Sequence, residues 1–204
     1  MHNSIVSFNR SVIEARQSGE LYVLIKEKLG VPLQLDDLLR AQVVYAVSAF
    51  DKLMHDLIRI GMRMQYEGVR PPTAKYLAEP LPISVHQAMG GAVFPNTSSA
   101  IFEAAIFQKH SYLSFQDPDK ISDGLSFIWS EKSKWEKIAL QAGFVSAASL
   151  RTQLKLLVGR RNAIVHEADM DPVTYTKRPI SKQDAETWVD LTERCGNAIA
   201  ALVV

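Results

Sequence analysis

Arg161, Asn162 and His166 are the residues of this chain whose types and spacing point to chemistry. They lie in Leu150 to Pro172, LRTQLKLLVGRRNAIVHEADMDP, which reads as one amphipathic helix stopped at Asp171-Pro172. Leu150, Leu154, Leu157, Ile164 and Val165 recur at helical spacing and predict a buried apolar face. At about 100° per residue, Arg161 points into that apolar stripe, while Asn162 and His166 share a second face with Lys155 and Gly159. A guanidinium in an apolar stripe keeps its charge, so it must find a carboxylate or a phosphate, or lie at an interface. Gly159 costs about 1 kcal/mol of helix stability relative to alanine, and its missing side chain lets a backbone or ligand approach the His166 face. Ser146 stands in the N-cap position, and a proline cannot continue a helix.

The elements that must hold this helix are themselves helical. Ser4 to Leu29 reads as a helix with a break near Ser18-Gly19, ending at Gly30 with Pro32 following. Asp36 to Tyr66 is the longest helical stretch, and LLRAQVVYAVSAF, its apolar first half, predicts the central buried helix of a bundle. Ser48, Asp51, Lys52, His55, Asp56 and Arg59 form a polar stripe along its second half. Such a stripe is a solvated face, unless Asp51 or His55 turns inward to meet Arg161; the spacing leaves both open.

Residues 68–97 carry Pro71, Pro72, Pro80, Pro82, Pro95, Gly90 and Gly91, which predict a loop-rich excursion with short helical turns. Helices are expected again at Ser98–Phe115, from Asp117-Pro118-Asp119 to about Trp129, and at Lys134–Ala142. His86 reads as a surface histidine, and His110 receives no role. Ser181 and Asp184 resemble a capping box that opens a last helix with the core stripe Trp188, Leu191, Cys195, Ile199 and Leu202. Cys195 inside that stripe reads as an inert buried thiol. No strand-like alternation and no repeat appears, so the expected fold is all-α, a single domain over residues 1–204.

Composition bounds the function. The chain has 204 residues, 47% hydrophobic and 22% charged, with a formal net charge of +1, so any RNA binds at a local site rather than over a basic face. One cysteine allows no intrachain disulfide and fits a reducing cytoplasm. Neither a signal-peptide core nor an apolar run near the roughly 20 residues of a membrane span is present, so no membrane partner is expected. The chain lacks a phosphate-binding glycine loop, a G-x-G-x-x-G, an H-E-x-x-H and a G-x-S-x-G elbow, and its five histidines have no metal spacing. A DNA reader is disfavoured because the helix with Arg160 and Arg161 reads on into Glu167, Asp169 and Asp171.

Arg161-Asn162-Ala163-Ile164-Val165-His166 resembles the R-x4-6-H motif of the HEPN superfamily in its Arg-Asn-x-x-x-His form. IWSEKSKWEKIA and LVGRRNAIVHEAD look like the C-terminal half of the RiboL-PSP branch, and AVSAFDKLMHDLIR resembles its polar-bearing second helix, so the likeness spans about Asp36 to Ala201. The resemblance implies an antiparallel helical bundle that pairs into a two-fold dimer with two motifs across one cleft. It implies a metal-independent endoribonuclease, without cofactor, acting as a toxin, defence or stress effector with an antitoxin or defence-system partner protein. His166 would move protons, Arg161 would stabilise the charge of the transition state, and Asn162 would orient the imidazole or hold a phosphate oxygen. Asp51 would fix Arg161 or His166 from the neighbouring helix. The substrate's 2′-OH attacks, leaving a 2′,3′-cyclic phosphate and a 5′-OH. The rival reading within the superfamily is a non-catalytic module for nucleotide or RNA binding or for dimerisation.

Overall fold

Helix α2 (Asp36–Tyr66) is buried along most of its length and organises the other elements. In the computed structural model, which describes residues 1–203 and only the backbone of 95 and 96, it follows α1 (His2–Tyr22), a π-helical turn at Val23–Lys28 and a connection ending at Leu35. Then come α3 (Ala74–Leu77), α4 (Ile83–Gly90), α5 (Pro95–His110), α6 (Pro118–Leu125), α7 (Lys134–Gln141), α8 (Ala147–His166) and α9 (Lys182–Val203). The described residues form no strand, and one isolated antiparallel bridge joins Met170 to Lys177. The all-α expectation is met. Among the described residues no helix is long and apolar enough to cross a membrane.

Leu39, Val43, Val47, Phe50, Leu53, Met54, Leu57 and Ile58 of α2 are buried against α1 and α9 on one side and α5, α6 and α8 on the others. The first half of α2 is apolar nearly all round because it has neighbours nearly all round. Tyr45, at 59% exposure, and Ser48 are exposed. Helices α1 and α9 approach so closely that a Cβ on Gly196 would stand 2.5 Å from the Phe8 ring. The capping box of α9 is present: Ser181 Oγ accepts from Asp184 N at 3.0 Å, and Asp184 Oδ2 accepts from Ser181 N at 3.0 Å.

Four expectations are corrected. Helix α1 does not break at Ser18-Gly19: Gly19 is helical, and its missing side chain makes room for Gln42, whose Oε1 would lie 2.4 Å from a Cβ there. The irregularity comes later, in the π-turn, and Gly30 at φ +63° ends the segment. The excursion holds two helices, α3 and α4, and is pinned: Thr73 caps α3, its hydroxyl donates to Ser126 O and Phe127 O, and its N–H donates to Gln65 Oε1 at 2.8 Å. Helix α5 starts at Pro95 and stops at His110, earlier than Phe115.

The fourth correction concerns α8, which ends at His166 and not at Asp171-Pro172. Ala168 and Asp169 take left-handed φ of 51° and 57°, a conformation that costs a non-glycine residue stability and must be held from outside. The holding group is Asp169 itself, fully buried, whose Oδ2 accepts from Arg40 Nε at 2.6 Å and Arg160 Nη2 at 2.8 Å. Arg40 and Arg160 also donate to Arg178 O, at 2.6 and 3.3 Å, so α2, α8 and the segment before α9 meet at one carboxylate. Removing one partner of a buried ion pair leaves the other charge uncompensated. Asp169→Ala is therefore expected to lower the unfolding free energy by about 3–5 kcal/mol in urea titrations at pH 7. A loss no greater than that of an exposed pair, about 1 kcal/mol, would contradict this role.

Candidate active site

Helix α8 is positioned by its buried residues Leu150, Leu154 and Leu157, which face α2, α6 and α7, and by Ser146, whose hydroxyl accepts from Ser149 N at 3.1 Å. These anchors leave the opposite face in solvent. Lys155, Gly159, Asn162 and His166 are all exposed along it, as the spacing predicts. Val165, expected in the core, is 44% exposed, because α8 ends one residue later and nothing covers its last turn on that side.

Arg161 lies on the edge of the buried stripe. Its Nε is buried with no hydrogen-bond partner, and its Nη1 donates to Asn162 Oδ1 at 3.1 Å. That bond swings the guanidinium head around the helix towards the face of Asn162 and His166. Among the described residues, every other arginine reaches a carboxylate or a main-chain carbonyl, whereas Arg161 has neither. An unneutralised guanidinium is thus bound to Asn162 on the last turns of α8, the same turns that carry the exposed His166. A guanidinium can accept a phosphate and an imidazole can exchange a proton, and the end of α8 carries one of each.

Asp51 and His55 point to a different duty. Asp51 Oδ1 accepts from Phe115 N at 2.6 Å and Oδ2 from Gln116 Nε2 at 3.1 Å. His55 Nε2 lies 3.1 Å from Leu113 O, and its ring packs edge-on against Phe115 at 4.8 Å. Both side chains secure the connection between α5 and α6, and neither hydrogen-bonds to Arg161 or His166. Of the rest of the stripe, Arg59 pairs with Glu103 of α5, as does Arg63 one turn on, while Ser48 bonds to Val44 O and Lys52 pairs with Asp56 within α2. His110 is also structural, buried beside Glu79 with its pKa pushed down by burial against the opposing pull of that carboxylate.

The residues that sequence reasoning missed are Arg40, Arg160 and Asp169. A signal for one existed, since Arg40 is a lone charge in the apolar run LLRAQVV. Beside the site, a cavity of about 380 Å³ lies between α2 and α8, lined by Arg40, Val44, Tyr45, Ile164, Ala168 and Lys177 among others. Ile164 and Ala168 flank His166 in the chain, so this cavity borders the motif. Among the described residues no cluster of three His, Cys, Asp or Glu side chains is placed to hold a metal ion.

A family model described as RiboL-PSP-HEPN matches residues 18–204 of the chain. Neither the curated proteins nor the solved structures contain a match to it.

Cys195 is fully buried in α9, and burial pushes its thiol up to about 12, so it holds no thiolate at neutral pH. Iodoacetamide at pH 8 is expected to leave Cys195 of the native chain unmodified, by intact mass, and to alkylate it after denaturation. Rapid alkylation of the native chain would show that the thiol is open to solvent.

Proposed function

The chain belongs to the RiboL-PSP-HEPN family, and from that premise we propose that it is a metal-independent endoribonuclease centred on Arg161, Asn162 and His166. The observation that carries this reading is the Arg161 guanidinium, which has no acidic partner and is bound to Asn162, on the helix end that exposes His166. A buried or half-buried cation without an acidic partner costs stability, and a substrate phosphate is the partner that offsets this cost.

In the proposed reaction the substrate 2′-oxygen attacks the adjacent phosphorus, and the bond from phosphorus to the 5′-oxygen breaks. The 2′-hydroxyl proton goes to a base and the 5′-oxygen takes a proton from an acid, giving a 2′,3′-cyclic phosphate and a 5′-OH. The nucleophile comes from the substrate, so neither a metal nor a protein nucleophile is required. Arg161 stabilises the extra negative charge on the pentacoordinate phosphorus, Asn162 holds the guanidinium or a non-bridging oxygen, and His166 moves the proton. A single imidazole serves one of the two transfers at a time. A two-fold dimer that brings two His166 rings to one cleft would supply both, and this pairing is part of the proposal. The cavity beside Tyr45 has the aromatic surface on which an unstacked base could lie.

The effector role rests on a second surface. Residues 80–102 contain no Asp, Glu, Lys or Arg, and Ile83, Val93 and Phe94 there are 77%, 84% and 69% exposed. Exposed apolar side chains in an uncharged segment suit contact with another protein, as a toxin held by an antitoxin or a defence complex would need. The rival reading, a non-catalytic RNA-binding or dimerisation module, draws support from His166, whose ring receives no orienting hydrogen bond among the described residues.

The purified protein is expected to cut labelled RNA in EDTA, leaving cyclic-phosphate ends. His166→Ala should slow cleavage by about 10²–10⁴-fold, and Arg161→Ala by about 10²–10³-fold, with both variants folded. Equal activity of the wild type and these variants would rule out the site. A folded wild type that binds RNA and never cuts it would favour the binding module.

A further inference from the structure

Helix α8 carries Arg151, Lys155, Arg160 and Arg161 and no acidic residue, in a chain of formal net charge +1, so the remainder of the chain has formal charge −3. The early end of the helix at His166 is what makes this so, because Glu167, Asp169 and Asp171 fall in the segment beyond it. Arg160 is neutralised by Asp169. Arg151 and Lys155, one turn apart, both reach outward to a single carboxylate, Asp119 at the start of α6. Arg151 Nη2 lies 2.5 Å from Oδ1 and Lys155 Nζ lies 3.4 Å from Oδ2. Lys155 foremost, with Arg151, holds the Asp119 carboxyl below the usual carboxylate range. All three side chains are open to solvent, at 40%, 52% and 65% exposure, so the contact is screened and exchangeable.

We propose that Arg151 and Lys155 form a second phosphate subsite for single-stranded RNA, and that Asp119 occupies it in the free protein as an internal stand-in for the phosphate. This rests on the ribonuclease reading and adds where the strand runs. Lys155, Gly159, Asn162 and His166 fall on one face, within about 60° of each other at 100° per residue. Lys155 stands roughly 16 Å from His166 at 1.5 Å of rise per residue, too far to touch the scissile phosphate, so it holds one further along the strand. The face between them is unobstructed: a Cβ on Gly159 would meet nothing within 4 Å. A phosphate displaces the carboxylate without leaving the cations unpaired, whereas an uncharged ligand has no means to do so. Two cations against one acid leave the subsite net positive, and that is its complementarity to a polyanion.

The test uses the full chain with His166→Ala, so that RNA is bound and not cut. Anisotropy of a labelled single-stranded RNA is measured from 50 to 300 mM salt. Adding Arg151→Ala and Lys155→Ala together is expected to weaken binding about tenfold and to reduce the salt slope by about 0.7, the contribution of one single-strand phosphate. Asp119→Asn, which removes the competitor, should instead tighten binding several-fold. In the chain with His166 intact, the double substitution should raise KM and leave kcat unchanged, the signature of uniform binding, with Tm unaltered. Unchanged binding and slope in the double variant, beside His166-dependent cleavage by the wild type, would overturn the subsite and leave the ribonuclease standing. Absence of cleavage by the wild type together with absence of RNA binding would overturn both. Equal affinity for a DNA strand of the same sequence, with the same response to the substitutions, would refute the assignment to RNA.

Discussion

The buried carboxylate of Asp169 between Arg40 and Arg160 is the contact on which the site depends. It lies beyond the end of α8, yet it decides where that end is. Burying an ion pair is expensive in itself, and here it also holds Ala168 and Asp169 in left-handed conformations that such residues avoid. In return it ties three distant parts of the chain together and stops the helix at His166. The imidazole therefore sits on the last helical turn of a rigid element, supported by the buried leucines of α8 and by α2.

Two adjacent arginines illustrate how the fold separates structural from available charge. Arg160 and Arg161 lie about 100° apart around α8. One turns to Asp169 and to the carbonyls of Arg178 and Pro179, and is fully engaged. The other turns to Asn162 and retains its charge. The polar stripe of α2 is committed to packing, through Asp51 and His55 to the connection after α5 and through Arg59 and Arg63 to Glu103. On α8 the guanidinium of Arg161 keeps no acidic partner, and Arg151 and Lys155 share one exposed carboxylate. A chain with almost no net charge thereby carries a helix of four basic residues and no acidic one.

Much of this was legible in the sequence, because it depends on local signals. The span of α2, the Ser146 cap of α8 and the capping box at Ser181 and Asp184 all follow from periodicity and short-range hydrogen bonding. The common face of Lys155, Gly159, Asn162 and His166 follows from helical spacing, whereas spacing put Arg161 within the apolar stripe and the structure puts it half-buried at the edge. The end of α8 was not legible. Its stop residues are neither glycine nor asparagine, and the force that holds them comes from Arg40, more than a hundred residues away. Gly19 read as a helix breaker for the same reason: its partner Gln42 lies on another helix. The partners of Asp51, on the connection after α5, are equally invisible to spacing.

The central claim is that the end of α8 promotes attack by the substrate's own 2′-oxygen. It is tested most directly by mapping one cut in an RNA oligonucleotide and replacing the single 2′-hydroxyl on the 5′ side of the scissile phosphate by hydrogen. Cleavage of the two strands by the wild-type protein is then followed in EDTA. The account predicts that the cut at that position disappears while the strand still binds with similar affinity. Continued cleavage there would show that water or a protein group attacks the phosphorus, and would contradict the mechanism.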